Sequence, residues 1–256
     1  MDKFANKRFW EIDFLRGIAI LLMIIFHALY DFNYFGGYNF NLHSGIWAYV
    51  GRASAIMFIF VVGISLTLSH SKATEMNIPK KEMYQKYIKR GARIFSWGLI
   101  ITLITWLFLK DGVIVFGILH FIGLSVILVY PFLRLHKYNL LIGAGVILTG
   151  LYLGDLAFDF SWLIGLGFKP YGFSTLDYFP ILPWFGIILI GIFAGNSLYP
   201  NYTRKIDIKD CTGFLPIRLF CMLGRRSLLI YLIHQPILIV LLYLMGFVDI
   251  GSLTQI

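Results

Sequence analysis

Residues 8–31 read RFWEIDFLRGIAILLMIIFHALYD, and the fold follows from how this stretch is parsed. From Ile12 onward it is apolar for about the length an α-helix needs to cross a bilayer. Asp13, Arg16, His27 and Asp31 interrupt it. At about 100° per residue, with Asp13 set at zero, Arg16 falls at about 300°, His27 at about 320° and Asp31 back at about 0°. The four therefore share one polar stripe. Ionisable side chains at membrane depth are costly and usually line a bundle interior or a water-filled cavity, so the stripe marks a candidate site.

The rest of the chain agrees with a membrane reading. Of its 256 residues 59% are hydrophobic and only 14% charged, and the mean hydropathy is +0.78, which excludes an ordinary soluble domain. Seven apolar runs lie at about 12–32, 46–69, 94–110, 114–133, 138–158, 180–199 and 226–247, each roughly long enough to span as an α-helix. The expected fold is an all-α polytopic membrane protein: a bundle of about seven transmembrane helices forming a single domain over residues 1–256.

Lysine and arginine orient it, because cationic loops stay in the cytoplasm. With the N-terminus inside, every one of the 22 except Lys110, Lys169, Arg16 and Arg52 falls in a cytoplasmic segment. The C-terminus is then outside, and the expected location is the plasma membrane, multi-pass. The net charge of +9 is accounted for by this asymmetry and by anionic membrane lipids, so no nucleic acid is expected as a partner. The first helix is expected to be retained, since Asp13 and Arg16 interrupt its apolar run and no small-residue cleavage site follows. Cys211 and Cys221 match no metal spacing, and no metal is expected. The polar segment 71–93, with Pro79 and a basic amphipathic run, is expected to form an interfacial helix.

Helical rise gives each polar group a depth. Asp13 and Arg16 lie within about 6 Å of the cytoplasmic end of the first span, and His234 about 12 Å above the start of the last. His27 is about 22 Å up the first span, while Arg52 and His120 enter about 9 Å from the outer face, so these three are expected to share an outer level. Asp31 lies just above that level, and Asp177 could overhang it. Arg52, among Gly51, Ala53, Ser54 and Ala55, is expected to be buried against protein and to need an anion: Asp31, Asp177 or a ligand. Plainer readings stand beside these. A lone membrane histidine is often structural, Arg16 with Asp13 can be a local ion pair near the interface, and Asp155 and Asp159 sit where ordinary solvation suffices. In the last span Pro236 leaves the Leu232 carbonyl without its helical partner and is expected to kink the helix. Ser227, Tyr231, His234 and Gln235 fall within an arc of about 100° there, a second polar face.

Five segments carry a resemblance: residues 8–27, MFIFVVGISLTLS (57–69), GILHFIG (117–123), YFPILPWFG (178–186) and LGRRSLLIYLIHQP (223–236). Together they resemble the heparan-α-glucosaminide N-acetyltransferase catalytic-domain family of the transmembrane acyltransferase superfamily, especially its short prokaryotic members. The resemblance implies acetyl transfer from cytoplasmic acetyl-CoA to a hydroxyl or amine, usually of a glycan, at the outer face. Under it, Arg16 with Asp13, Arg93, Arg225 and Arg226 becomes a candidate for the anionic end of the donor, and Tyr231, His234 and Gln235 line the path above. His27 is the first candidate for the base, oriented by Asp31. Arg52 or His120 would stabilise the oxyanion. The family's animal members place their active histidine after the first helix, where His43 is the nearest counterpart, so His43 is the second candidate. N- versus O-acetylation and the choice between an acetyl-histidine intermediate and direct transfer stay open. So does oligomeric state, with a homodimer among the options. The competing function is a proton-coupled small-molecule transporter, since Asp/His chains also relay protons, although no paired halves are visible. A membrane scaffold ranks below both.

Overall fold

The computed structural model describes residues 8–42, 44–109 and 112–247. Eight α-helices dominate them: α1 (Trp10–Gly36), α2 (Gly45–Glu75), α3 (Lys80–Phe108), α4 (Ile118–Leu128), α5 (Tyr138–Gly154), α6 (Ile181–Leu198), α7 (Leu215–Arg225) and α8 (Ser227–Leu244). Five are long and apolar enough to cross a membrane: α1, α2, α3, α6 and α8. This is a helical membrane protein. The fourth and fifth expected spans are helices too, but α4 has 11 residues and α5 has 17, so they fall short of the seven full crossings read from the sequence. Hydropathy counted loop residues around α4 and beyond Gly154 as span, because those loops are themselves apolar.

The segment 71–93 differs from its expectation. Asn77, in the left-handed region at φ +53°, closes α2: its amide donates to the Thr74 carbonyl and that of Ile78 to Ala73, the pattern that ends a helix on two reversed bonds. Only Met76–Pro79 then separate α2 from α3. Beyond Pro79 the run KKEMYQKYIKR is made mostly of good helix formers, so the basic stretch is the first half of α3 and not a separate interfacial helix. Gly91, where a break would fall, is instead a packing point: a Cβ there would stand 2.6 Å from the Gly123 carbonyl of α4.

The chain forms two compact units, one of residues 1–61 with 208–256 and one of residues 62–207. In the first, α7 packs along the start of α1. Gly17 sits on the Phe220 carbonyl and Gly224 on the Asp13 carbonyl so closely that a Cβ at either would overlap it. Cys221 is buried beside Trp10, its thiol donating to the Trp10 carbonyl at 3.3 Å, and burial pushes that thiol up, keeping it protonated. α8 packs on the later turns of α1. The first half of α2 also meets α1: Ser54 donates to the Ala19 carbonyl at 2.9 Å, and Gly51 makes room for the Phe26 ring. In the second unit, α3 packs on α4 and α5 on α6, with Gly143 and Gly186 facing each other across the latter pair. The remaining half of α2 joins α6 through Gly63, against the Ile188 carbonyl and Gly191, and through Thr67, against Gly195. Without the hydrophobic effect to drive helices together in lipid, this close approach of small residues is what supplies dispersion contact.

Candidate active site

The polar stripe of α1 faces α7 and α8. At its start Arg16 lies 3.1 Å from Asp13 Oδ1, an ion pair at i,i+3, and also donates to the Gly224 carbonyl at the end of α7 at 3.4 Å. Arg225 donates to the Cys221 carbonyl, 3.2 Å away, and both Arg225 and Arg226 are exposed at the α7–α8 junction. The first unit therefore gathers Asp13, Arg16, Arg225 and Arg226 at one end of α1. Arg93 is exposed on α3, in the other unit.

Further along, the rings of His27 and His234 meet edge to face at 4.9 Å. Gln235 Nε2 donates to Asp31 Oδ1 at 2.5 Å. Asp31 is 1% exposed and His234 8%, whereas His27 is half-buried. Tyr231, one turn before His234, lies 5.4 Å from its ring. The two imidazoles hold the same tautomer. His27 Nδ1 lies 2.9 Å from the Met23 carbonyl and His234 Nδ1 2.6 Å from that of Tyr231. A carbonyl only accepts, so Nδ1 carries the hydrogen in both rings and Nε2 presents its lone pair. Three acceptors in this layer are buried with no hydrogen-bond partner among the described residues: Asp31 Oδ2, His234 Nε2 and Gln235 Oε1. Each leaves about 1–3 kcal/mol of desolvation uncompensated. Together they form a polar set that lacks donors.

Three expectations change here. His234 and Gln235 belong with His27 and Asp31 and not with the Arg16 end. Measuring depth from a common plane failed because α7 occupies the side of α1 at Asp13–Gly17, so α8 begins further along α1. Asp31 does not orient His27; a backbone carbonyl does, and Asp31 takes Gln235. Arg52 is exposed and makes no ion pair with another described residue. Gly51 and Ser54 do face α1 as small residues should, but Arg52 lies about 100° from the one and about 160° from the other around the helix. Adjacency in sequence to small residues put it on the wrong face.

His120 lies in the second unit and is 2% exposed. The Gly117 amide donates to its Nδ1 at 3.2 Å, and Nε2 lies 3.3 Å from Thr102 Oγ1, whose own hydrogen goes to the Ile114 carbonyl at 2.6 Å. Its tautomer is opposite to that of His27, and both nitrogens are engaged in holding the start of α4. Asp177 accepts from the Ile118 amide at 3.0 Å, so it serves the exposed amides and positive dipole end of α4 in place of the overhanging role. His43 lies outside the described residues. No group of three or more His, Cys, Asp or Glu able to hold a metal occurs among the described residues.

A family model described as heparan-alpha-glucosaminide N-acetyltransferase, catalytic, matches residues 8–236. The chain belongs to that family. No curated protein and no solved structure matches it. The match spans both units and ends at Pro236, so it takes in the whole α1–α8 layer of this N-acetyltransferase-family chain. Missed in the sequence were Gly17 and Gly224, whose bare Cα atoms let α7 settle on α1. Gly224 falls inside the LGRRS motif, where the arginines drew the attention, and nothing local marks its role.

Proposed function

We propose that this membrane acyltransferase moves an acetyl group from acetyl-CoA, bound from the cytoplasm, to a hydroxyl or amine of a glycan-type acceptor reaching the site from the outer face. The observation that carries this reading is the donor-deficient α1–α8 layer. Two imidazoles present Nε2 lone pairs, and two further acceptors wait for N–H or O–H groups, as a polyhydroxylated or amino acceptor would bring. His27 Nε2, on the half-buried ring, takes the acceptor's proton as its oxygen or nitrogen bonds to the thioester carbonyl carbon. The C–S bond then breaks, and the departing sulfur of coenzyme A takes that proton from the imidazolium. Asp31 Oδ2 and Gln235 Oε1 hold the acceptor's remaining donors, and His234 Nε2 lies across from His27.

Arg16, Arg225 and Arg226 would meet the phosphates of the donor, since guanidinium pairs well with phosphate oxygens. The cationic loops would keep that end in the cytoplasm. His120 has no role in this scheme because its nitrogens are occupied, nor has Arg52 on its outward face.

The test is calorimetric titration of acetyl-CoA into the purified full chain, followed by labelled acetyl transfer to glucosamine and related sugars. His27→Ala, His234→Ala, His43→Ala and Arg16→Ala are carried in parallel. Saturable acetyl-CoA binding with transfer lost in His27→Ala supports the proposal, and absence of acetyl-CoA binding refutes it. If His43→Ala abolishes transfer while His27→Ala does not, the base assignment moves to the loop after α1.

A further inference from the structure

The second unit poses a problem of length. At about 1.5 Å per residue α4 measures about 16 Å and α5 about 25 Å, against a hydrocarbon core of about 30 Å. What completes the crossing must follow Gly154 and precede Ile118, at the end where the segment between α5 and α6 folds. That segment, 156–176, contains Phe158, Phe160, Trp162, Phe168, Tyr171 and Phe173 and only two charged residues, Asp159 and Lys169. The segment 199–214, by contrast, carries Arg204, Lys205, Asp207, Lys209 and Asp210. One has the composition of a water-facing connection and the other does not.

Its backbone is settled in a way that a water-facing loop does not require. Ala157–Phe158 pair with Lys169–Pro170 as a short parallel ladder. The amides of Leu166, Gly167, Phe168, Tyr171 and Phe173 all donate to carbonyls within the segment. Tyr178 donates through its hydroxyl to the Ile164 carbonyl at 2.8 Å. Thr175 Oγ1 and the Leu176 amide tie the segment to the carbonyls of Val113 and Gly112, ahead of α4. Non-helical chain at membrane depth is tolerated only when its polar groups are met by protein, and these largely are.

Several of its apolar side chains meanwhile point outward, while Phe158, Phe160 and Phe168 are half-buried. Trp162 is 78% and Tyr171 70% exposed, with Leu156, Leu166 and Leu176 also exposed. Trp162 is held in place by Phe160, 5.6 Å between ring centres, and Phe160 in turn by Phe158 and Phe168. This surface continues the outward apolar face of α5, where Leu148, Leu151 and Tyr152 are exposed. We infer that residues 156–176 form a membrane-embedded cap, its occupant the lipid bilayer, with Trp162 and Tyr171 at headgroup level and the leucines in the acyl boundary. The cap extends the apolar height of the short α4 and α5 to the thickness of the bilayer, and tryptophan and tyrosine are the residues that favour that interface.

The proposal is tested on the full chain carrying Cys211→Ser, with spin labels placed by Trp162→Cys, Tyr171→Cys or Asp207→Cys, in vesicles of phosphatidylcholine and phosphatidylglycerol. The buried Cys221 stays unlabelled. Expected is a ratio of oxygen to nickel-chelate accessibility several-fold higher at 162 and 171 than at 207. Because Trp162→Cys removes a ring contact, the Tyr171 label repeats the test with Trp162 intact. Chelate accessibility at 162 and 171 equal to that at 207 overturns the cap. So does shielding that develops only when an oligosaccharide is added, which would make the segment a sugar platform.

Discussion

His27 with His234, and His120, are histidines buried to different ends. Around His120 the Gly117 amide and the Thr102 hydroxyl occupy both nitrogens, Phe116 stacks on one face and Phe95 packs edge-on. The result is a closed junction at the start of α4. Around His27 and His234 each ring spends one nitrogen on a carbonyl of its own helix and keeps the other as a lone pair, beside Asp31 and Gln235, which also lack donors. The difference teaches that burial and residue type do not separate a histidine with both nitrogens bonded from one that keeps a lone pair. The hydrogen-bond account does.

The strongest way to break this comparison is to remove one histidine from each region. His27→Ala is expected to lower the acetyl-transfer rate by about 10²–10⁴-fold with little change in thermal melting, as for loss of a general base. His120→Ala is expected to do the reverse, lowering stability by about 2 kcal/mol or more by leaving the buried Gly117 amide without its acceptor and a cavity beside Phe95 and Phe116 while the folded fraction keeps its turnover. Equal activity losses in the two variants would erase the distinction. Packing beneath the α1–α8 layer comes next. Gly224→Ala drives a methyl group into the Asp13 carbonyl and is expected to cost about 1–3 kcal/mol or more of stability, read as an earlier detergent melting transition. Gln235→Leu leaves the whole Asp31 carboxylate without a partner and is expected to cost about 1–3 kcal/mol; unchanged melting would show that water already serves Asp31. Asp177→Ala, at the His120 end, removes the carboxylate at the α4 N-terminus and is expected to cost about 1 kcal/mol. Smallest is Arg52→Gln, expected to stay within about 0.5 kcal/mol because the side chain is exposed. A large loss there would restore the buried, paired arginine that the small-residue context suggested.

Much of this comparison was foreshadowed in the chain. The α1 stripe was read correctly as inward-facing because Asp13, Arg16, His27 and Asp31 obey one helix's 100° rotation, a purely local rule. The second polar face, Tyr231 to Gln235, was found in the same way. What failed were distances between helices. His234 was placed with Arg16 by counting rises from an assumed membrane plane. The error arose from what lay between: α7 shifts the origin of α8. Arg52 lies on the outward face because helical rotation separates it from Gly51 and Ser54.

By itself, then, the sequence determined that this is a helical membrane protein, where its apolar helices run and which face of α1 and of α8 is polar, because apolar length and helical periodicity act within a single segment. It also carried the family, through motifs spread from Arg8 to Pro236. Only the tertiary structure decided that His27 meets His234, that Asp31 takes Gln235 and that His120 is fully bonded. Those outcomes depend on how closely Gly17 and Gly224 let helices approach and on which donors the packing supplies, and no single segment encodes either.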